Sequence, residues 1–518
     1  MQDRKPIIIG SRGSDLALWQ ARFVQQELAL AGYRSEISII KTQGDIVQHL
    51  SLEKLEGKGF FTKEIEEALL AGTIDIAVHS HKDLPTAQTP GLCIAGVSYR
   101  EDPSELLLIR KDKTNAHLPY HVPEGATVGT SSARRFVQLM RERPDIKCID
   151  IRGNVPTRIQ KLRDGLYDAI LIAYAGVHRL NLQLDDLTVI KIDPKQFIPA
   201  PAQGVLAYQC REDDAEMRAI IQQFHHDGVA QSIQVERRVM QLFNGGCHMP
   251  LGVYCEKQGA IWHAWAVRSV DRDGEVSRLY MQHDAPGYLA DAIYERLQHK
   301  QHQTVLICST QVPDLVFEQC ASSGISVTRQ SFIDITPYPI NQQAIEADWV
   351  FFTSKHGVKH FFEQQPLLHK QVRFGAYSED TAAALAMYQQ VHFTGNGDIQ
   401  QTAKDFQKVA AGSTVLFAGA VNPHTGFAEA VSEFATTGHL TVYSNTLLPA
   451  QAPTADIIVF SSPMQAEGFL IENNILPQQR LVAIGKTTRD YLLSRGFTQV
   501  VLPYQPSFRA VADLLCGL

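Results

Sequence analysis

One short segment of the sequence carries several side chains that could do chemistry. The apolar run Ile74–Val78 leads directly into residues 79–85, with the sequence HSHKDLP. We interpret the run as a buried strand, so that the two histidines, Lys82 and Asp83 lie in a loop at its end, which Pro85 terminates. Such a loop is either a hydrophilic turn or part of a functional site. The histidines could bind a metal, but no second group of ligands lies nearby in the sequence, and we predict no metal site.

Arginine recurs at other turns that follow apolar runs. Three segments share this pattern: residues 11–14 (SRGS), 129–135 (GTSSARR) and 151–158 (IRGNVPTR). Each is typical of a strand-to-helix turn, where backbone N–H groups and hydroxyls can bind an anion and the guanidinium group can pair with it. A single turn of this kind could be a capped helix with surface arginines. Several together predict a ligand that carries many carboxylates or phosphates.

A cysteine lies in a glycine-rich loop later in the chain. Residues 244–250 have the sequence NGGCHMP, which places Cys247 after two glycines at the start of a domain. A buried structural thiol is the usual role of such a residue. The glycines also allow close approach of a bulky group, so a covalent attachment point is the alternative.

These segments need α/β elements to position them. Strands are predicted over Ile7–Ile9, Glu36–Lys41, Ile74–Val78, Ala126–Gly129, Cys148–Ile151 and Ala169–Ala173. Helices are predicted over Asp15–Leu30 (closed by Gly32), from the N-cap Thr62 to Gly72, over Ser132–Arg143 and over Pro156–Arg163. The alternation favours two α/β lobes with largely parallel sheets and a cleft at the carboxyl ends of the strands, where ligands bind.

The pattern changes after Phe243 and changes again near residue 300. Ile261–Val270 and Val276–Gln282 flank a hairpin turn, and a helix pattern covers Tyr288–Leu297, so a small α+β domain is predicted. The polar segment 299–303 is a predicted junction. Beyond it the α/β alternation resumes, with strands predicted over Val305–Cys308, Trp349–Phe352, Thr414–Phe417, Ile457–Phe460 and Leu481–Ile484.

Composition excludes several classes of protein. The chain has 518 residues, 44% hydrophobic and 20% charged, with a formal net charge of -7. These values predict about three to five globular domains and give no overall reason to expect nucleic acid or an anionic membrane as a partner. Lysine and arginine are about twice as dense in residues 1–300 as in the remainder, which suits an anionic ligand there. No apolar run is long enough to span a bilayer, no signal peptide is recognisable, and the eight cysteines form no CxxC pair. We therefore expect reduced thiols and a cytoplasmic protein.

Six segments, taken in order, closely resemble the hydroxymethylbilane synthase (porphobilinogen deaminase) family over residues 5–300. They are residues 17–21 (ALWQA), 57–61 (GKGFF), 79–85 (HSHKDLP), 129–132 (GTSS), 152–155 (RGNV) and 245–247 (GGC). The resemblance implies an enzyme that joins four porphobilinogen units head to tail, with loss of ammonia from each, and releases hydroxymethylbilane. Two departures from the family pattern are His81, where an apolar residue is common, and Ala202, where glycine is common.

The same resemblance implies specific roles for residues. A dipyrromethane cofactor would be attached to Cys247 through a thioether, and Asp83 would be the catalytic carboxylate that stabilises positive charge on the pyrrole nitrogens. The other residues that it implies in cofactor or ligand binding are Arg12, Ser14, Lys82, Ser131, Ser132, Arg134, Arg135, Arg152, Gly153, Asn154, Arg158 and Gln203. The implied fold is two lobes like those of periplasmic binding proteins, followed by an α+β domain that bears the cysteine.

The second half resembles uroporphyrinogen-III synthase through hydroxyl-rich strand ends. The segments are residues 351–354 (FFTS), 442–443 (VY), 459–463 (VFSSP) and 483–488 (AIGKTT). The resemblance implies a bilobal α/β region that inverts the fourth pyrrole ring of hydroxymethylbilane and closes the macrocycle to uroporphyrinogen III. Tyr443 would assist departure of the hydroxyl group. Carboxylates of the substrate would be held by Thr353, Ser354, Ser461, Ser462 and Thr487.

The sequence therefore predicts a multidomain α/β protein with a boundary near residue 300. The predicted domains are 1–98 with 199–220 (first lobe), 99–198 (second lobe), 221–300 (cysteine-bearing domain), 304–336 with 447–518 (first lobe of the second half) and 337–446 (its second lobe). The main hypothesis is a bifunctional, monomeric enzyme of tetrapyrrole biosynthesis that acts on small molecules. Tethering would raise the effective concentration of the second active site. Two alternatives remain open, a non-catalytic second half and a non-catalytic anion-binding protein.

Overall fold

The chain forms two compact units. The structure, a computed structural model, describes residues 5–42, 62–116, 118–246, 249–340, 345–368, 371–422 and 425–518. The first unit comprises Met1–Gln301 and Asp513–Leu518, and the second comprises His302–Ala512. This division falls beside the junction predicted for residues 299–303. Residues 513–518, which were predicted to belong to the second half, pack within the first unit. Two predicted features, the 57–61 segment and Cys247, lie outside the described residues.

In its described residues, the first unit contains two five-stranded sheets and one three-stranded sheet. Its strands are β1 Ile7–Ser11, β2 Ser35–Ile39, β3 Ile76–Ser80, β4 Leu92–Val97, β5 Glu105–Arg110, β6 Thr127–Gly129, β7 Lys147–Ile149, β8 Ala169–Ala173, β9 Leu187–Ile192, β10 Leu206–Arg211, β11 Leu251–Gln258, β12 Ile261–Arg268 and β13 Ser277–His283. Its helices are α1 Asp15–Leu30, α2 Lys63–Leu70, α3 Ala133–Glu142, α4 Val155–Arg163, α5 Tyr174–Arg179, α6 Ala215–Ile221, α7 Asp227–Leu242 and α8 Pro286–Gln298.

The two larger sheets are mixed, so the prediction of largely parallel sheets is wrong. The first has the order β2-β1-β3-β10-β4, and the second has the order β7-β6-β8-β5-β9. β10 pairs antiparallel with both of its neighbours, and so does β5. The chain enters the second sheet from the first at β5, and it returns to the first sheet at β10. An apolar strand pattern carries no sign of direction, so the sequence could not distinguish these two strands from their parallel neighbours.

Helix α1 shows how local signals position the first turn. Ser14 caps the helix by accepting a hydrogen bond from the backbone N–H of Ala17. The buried residues of the helix are Gln20, Ala21, Val24 and Leu28, and this spacing of three or four places them on one face. The helix ends before Gly32, whose φ of 87° lies in the left-handed region. The predicted bounds of this helix are confirmed.

The third sheet and the last helices complete the first unit. β11, β12 and β13 form an antiparallel sheet in that order, and the predicted hairpin corresponds to β12 and β13. Trp265 and Tyr280, both fully buried, have ring centroids 5.0 Å apart in this sheet. The α+β character predicted for this region is confirmed.

The second unit has two α/β sheets joined by a two-stranded ladder. Its strands are β14 Thr304–Cys308, β15 Ser326–Gln330, β16 Ile333–Pro337, β17 Trp349–Phe352, β18 Arg373–Ala376, β19 Phe393–Thr394, β20 Thr414–Ala420, β21 Thr436–Leu447, β22 Ile457–Phe460, β23 Arg480–Ala483 and β24 Val500–Val501. Its helices are α9 Asp314–Ser322, α10 Lys355–Glu363, α11 Glu379–Ala386, α12 Ile399–Ala410, α13 Gly426–Ser432, α14 Pro463–Glu472, α15 Lys486–Ser494 and the start of α16 Phe508–Gly517.

The strand orders of the second unit are β15-β14-β22-β23-β24 and β16-β21-β20-β17-β18-β19. All pairs within them are parallel except the ladder, in which Ile333–Pro337 runs antiparallel to Tyr443–Leu447. Among the described residues, no helix is both long enough and apolar enough to cross a membrane.

Candidate active sites

Asp83 lies in a short 3-10 turn, His81–Asp83, directly after β3. Its side chain is exposed. The loop is held from its buried side by Arg237, whose guanidinium donates to the carbonyl oxygens of His81 (3.0 Å), Leu84 (3.2 Å) and Pro85 (2.6 Å). These bonds fix the backbone on both sides of Asp83 and leave its carboxylate accessible.

The loop that precedes Cys247 is bonded to the loop that follows Asp83. The hydroxyl of Thr86 donates to the carbonyl oxygen of Gly245 at 3.3 Å. Thr86 is three residues after Asp83, and Gly245 is two residues before Cys247. The fold therefore brings these two predicted segments together, although Cys247 itself lies outside the described residues.

Glu105, at the start of β5, is a buried carboxylate that the sequence analysis did not identify. Its two oxygens accept from Arg134 Nη2 and from Arg135 Nη2, each at 2.7 Å. The same guanidinium groups donate to the carbonyl oxygens of Ile198 (2.8 Å) and Leu171 (3.1 Å). Burial raises the pKa of Glu105, but Arg135 and Arg134 outweigh this and lower it to about 2. Two of the predicted cationic ligands are thus held by one shared anion.

Gln203 connects this ion-pair group to the loop of Asp83. Its Nε2 donates to Glu105 Oε1 at 3.1 Å and to the carbonyl oxygen of Pro103 at 2.8 Å. Its Oε1 accepts from Lys82 Nζ at 3.3 Å. Burial lowers the pKa of Lys82, which the adjacent Asp83 opposes. Lys82 and Gln203, both predicted from the family resemblance, therefore lie beside Glu105.

Arg158 and Arg152 form a second cationic pair close to Asp83. The Nε of Arg158 donates to the carbonyl oxygen of Gly153 at 2.8 Å. Burial and the nearby Arg135 and Arg152 lower the pKa of Arg158 to about 10, while Asp83 raises it. Within the described part of the chain, neither Arg152 nor Arg158 forms an ion pair with a carboxylate. These two guanidinium groups are therefore available to an external anion.

The hydroxyl and amide groups at the predicted turns bind the backbone. Ser14 caps α1, and Asn154 caps α4 by accepting from the N–H of Thr157 at 2.9 Å. The Ser131 hydroxyl donates to the carbonyl oxygen of Ile151 and accepts from its N–H. Three further predicted residues lie at the same turns. Ser132 is the N-cap residue of α3 but makes no side-chain capping bond, and Gly153 has a φ of 112°. Arg12 is half-buried, and its charge contributes to the lowered pKa of His79.

His79 and His81 are both buried and neutral at physiological pH. Burial is the main cause that lowers the pKa of His79 to about 4 and that of His81 to about 3. His79 Nε2 lies 3.1 Å from Gln209 Oε1, whose Nε2 in turn donates to Glu66. In the described ranges, no three His, Cys, Asp or Glu side chains come together in a way that could hold a metal ion.

The segment between the lobes is held at an unusual backbone conformation. Ala202, one of the two departures from the family pattern, has a φ of 62°, in the region that favours glycine. Its N–H donates to Glu236, a fully buried carboxylate that also pairs with Arg100 at 2.6 Å. Two residues later, Gly204 has a φ of 88°, and a Cβ there would lie 2.2 Å from the carbonyl oxygen of Glu101.

In the second unit, Tyr443 lies in a small polar cluster. Its hydroxyl lies 3.2 Å from that of Ser354, and burial raises the pKa of the phenol. Two histidines of α10 lie beside its ring, with centroid distances of 6.1 Å for His356 and 5.8 Å for His360. His356 Nε2 is 3.1 Å from the hydroxyl of Thr310, and burial, then Lys355, lowers its pKa to about 4. The sequence analysis missed both histidines, since no motif marks them.

The predicted hydroxyl groups of the second unit divide between structural and exposed positions. Ser354 caps α10 and Ser462 caps α14, by accepting from the N–H groups of Gly357 and Gln465. The Ser461 hydroxyl donates to the carbonyl oxygen of Cys308 at 2.8 Å. The two remaining predicted residues, Thr353 and Thr487, are exposed. Three of the five predicted hydroxyl groups are therefore bonded to backbone groups, and the other two are exposed.

Comparison with known proteins agrees with both resemblances. Residues 7–219 match the family model "Porphobilinogen deaminase, dipyromethane cofactor binding domain", and residues 314–513 match "Uroporphyrinogen-III synthase HemD". Curated relatives named porphobilinogen deaminase include one from Clostridioides difficile, 42% identical over 252 residues, which covers 48% of this chain and 82% of the relative. Another, from Gloeobacter violaceus, is 39% identical over 327 residues, and the match covers 62% of this chain and 97% of the relative.

Two solved structures are distant likenesses of parts of the chain. A uroporphyrinogen-III synthetase from Helicobacter pylori has a TM-score of 0.32 at 19% identity and covers 40% of this chain and 95% of that chain. A periplasmic VFT2 domain of BvgS from Bordetella pertussis has a TM-score of 0.28 at 15% identity, and the match covers 44% of this chain and 92% of that chain. These likenesses carry no argument about activity. The sequence matches do carry such an argument, because the match to the Gloeobacter relative includes nearly its whole length. The chain belongs to the porphobilinogen deaminase family, carries a uroporphyrinogen-III synthase domain after the deaminase region, and is a bifunctional enzyme of heme biosynthesis.

Proposed function

We propose that the first unit assembles hydroxymethylbilane from four porphobilinogen molecules on a dipyrromethane primer bound to Cys247, and that the second unit closes this bilane to uroporphyrinogen III. One observation carries the proposal for the first unit. An accessible carboxylate, Asp83, lies within electrostatic reach of Arg158, which is itself close to Arg152, and its loop is bonded to the loop that precedes Cys247.

The residues of the first unit fit a dipyrromethane group. Each of its pyrrole rings carries an acetate and a propionate, and Arg152 and Arg158 offer guanidinium groups that are not paired with an acid among the described residues. Guanidinium groups bind carboxylates through two parallel hydrogen bonds, so they suit these substituents. When bound, the group supplies the free pyrrole α-carbon to which units are added.

Asp83 acts on the incoming porphobilinogen. As ammonia leaves the aminomethyl carbon, positive charge spreads to the ring nitrogen, and a carboxylate held beside that N–H stabilises the charge. Arg237 keeps the Asp83 backbone in place, so little reorganisation is needed when charge develops. Lys82 and Arg158, which both interact electrostatically with Asp83, bind the ring carboxylates and thus orient the N–H toward Asp83.

Arg134 and Arg135 have a different role in this proposal. Together with Glu105 they carry a net positive charge, which attracts the polyanionic chain. Their side chains are only 4% and 7% exposed, which limits direct contact with a ligand. We assign them to positioning, because they hold Glu105 and Gln203 and thereby Lys82.

In the second unit, Tyr443 is the proposed proton donor to the departing hydroxyl group of the bilane. A phenol is protonated at neutral pH, and burial, which raises the pKa of Tyr443, does not change this, so the O–H is present to donate. Thr353, Ser354, Ser461, Ser462 and Thr487 would bind carboxylates through hydroxyl and backbone N–H groups. We further propose that the enzyme works as a monomer in the cytoplasm. The seven described cysteines are all free thiols, which is compatible with a reducing compartment.

Two measurements test the proposal. Intact-mass analysis of the holoenzyme should show an excess equal to a dipyrromethane, which Cys247→Ser removes. Porphobilinogen supplied to the full chain should yield uroporphyrinogen III. If the wild-type protein has only the mass of the bare chain and forms no bilane, the proposal for the first unit is overturned. Formation of only the symmetric isomer would show that the second unit does not catalyse closure.

A further inference from the structure

The last six residues of the sequence are built into the core of the first unit. Asp513 is fully buried, and its carboxylate accepts from Arg278 through both oxygens, at 2.8 Å from Nε and 2.9 Å from Nη2. The Arg278 side chain is only 5% exposed. A charge removed from water this completely needs a well-aligned partner, so the bidentate geometry is a requirement of this position.

The rest of the segment is matched to the same surface. Gln301 Nε2 donates to the carbonyl oxygen of Cys516 at 2.8 Å, and Arg296 donates to that of Leu518 at 2.6 Å. Leu515 and Cys516 are at most 1% exposed. A Cβ at Gly517 would lie 2.0 Å from the carbonyl oxygen of Tyr280, so only glycine fits there. The surface therefore selects its occupant by charge, by hydrogen bonds and by shape.

Arg278 also connects this segment to the polypeptide that crosses between the lobes. It donates to the carbonyl oxygens of Gln196 (2.9 Å) and Lys195. Two residues further along, the carbonyl oxygen of Ile198 accepts from Arg134, which holds Glu105. Asp513 thus holds the guanidinium group of Arg278 in place. Arg278 in turn supports the backbone of residues 195–196, shortly before Ile198, to which Arg134 of the candidate site is bonded.

We propose that residues 513–518 are a built-in docking peptide of the deaminase unit, recognised through Asp513 and Arg278. The surface is formed by Arg278, Tyr280, Arg296 and Gln301, and its occupant is this segment of the same chain. The chain leaves the first unit after residue 301 and returns to it at residue 513, so the second unit is an insertion and the first unit is incomplete without the returning segment. The effect on catalysis rests on the proposed function, whereas the effect on stability does not.

The test uses the full chain with Asp513→Asn, which keeps the shape and removes the charge. Asp490→Asn is the matched control, because Asp490 is 61% exposed and pairs with its neighbour Arg489 at the surface. We expect Asp513→Asn to lower the thermal unfolding midpoint of the first unit by roughly 5–15 °C and the control to change it by less than about 2 °C. At 25 °C the deaminase rate should fall, and the rate of closure of supplied hydroxymethylbilane should stay within about twofold.

Two further variants separate docking from general damage. The pair Arg278→Leu with Asp513→Leu removes both charges together and should recover at least half of the lost midpoint. If Asp513→Asn does not accumulate as folded protein, Gln301→Ala should still speed hydrogen exchange at the amides of residues 513–518.

An unchanged midpoint in Asp513→Asn, or no recovery in the pair, would overturn the docking proposal. A wild-type chain without deaminase activity would instead overturn the proposed function, because the midpoints would still report on docking.

Discussion

The isosteric substitution Glu105→Gln removes one buried negative charge from the candidate deaminase site. The variant keeps the size of the side chain, but Arg134 and Arg135 lose the anion that they share. Both remain buried, with carbonyl oxygens as their other described partners. Since a buried cation without a counterion is costly, we expect a large loss of stability although no volume changes.

The magnitude follows from the depression of the carboxyl pKa. The pKa of Glu105 falls from an ordinary 4.5 to about 2, and each unit corresponds to about 1.4 kcal/mol. The native contacts therefore favour the ionised form by about 3 kcal/mol, which agrees with the cost of about 3–5 kcal/mol for removing one partner of a buried pair. Because the folded pKa is the lower one, this stabilisation is complete above pH 4.5 and is lost as the pH falls toward 2.

Urea unfolding at pH 7 and at pH 3 measures this effect. We expect Glu105→Gln to lower the free energy of unfolding of the first unit by about 3 kcal/mol at pH 7 and by about 1–2 kcal/mol at pH 3. Asp112→Asn is the control, since the Arg110–Asp112 pair is exposed and should contribute less than about 1 kcal/mol. A loss below about 1 kcal/mol at pH 7, or an equal loss at both pH values, would refute the reasoning.

Three other substitutions test separate parts of the fold and the sites. Gly204→Ala should destabilise the first unit by at least about 2 kcal/mol in urea unfolding, because of its positive φ and the close carbonyl, whereas Ala202→Gly should stay within about 1 kcal/mol of wild type. Tyr443→Phe should slow closure of supplied bilane at least tenfold and shift the product toward the symmetric isomer, with an unchanged rate of porphobilinogen consumption. Arg158→Gln should reduce porphobilinogen consumption at least tenfold, unlike the exposed Arg163→Gln on the same helix; equal effects would contradict its ligand role.

Local sequence signals were sufficient to predict elements whose ends are set by neighbouring residues. Helix α1 was predicted with its bounds because Ser14 caps it and Gly32 closes it. Glu105 was missed because an acidic residue before an apolar run is typical of an exposed strand end. Its burial depends on arginines 29 and 30 residues away. The contact of Asp513 with the first unit could not be predicted, because its partner Arg278 is 235 residues away and no local pattern encodes such a contact.

The same physical constraint explains how cations are distributed in the deaminase site. A cleft that binds a polyanion needs several positive charges, but guanidinium groups buried together without an anion would destabilise the folded chain. In this protein two buried arginines, Arg134 and Arg135, share Glu105, and each also donates to a backbone carbonyl. Arg152 and Arg158 are only partly buried, so water can solvate them before a ligand arrives. In the proposed ligand site, Glu105 therefore permits a density of buried positive charge that the fold could not otherwise hold.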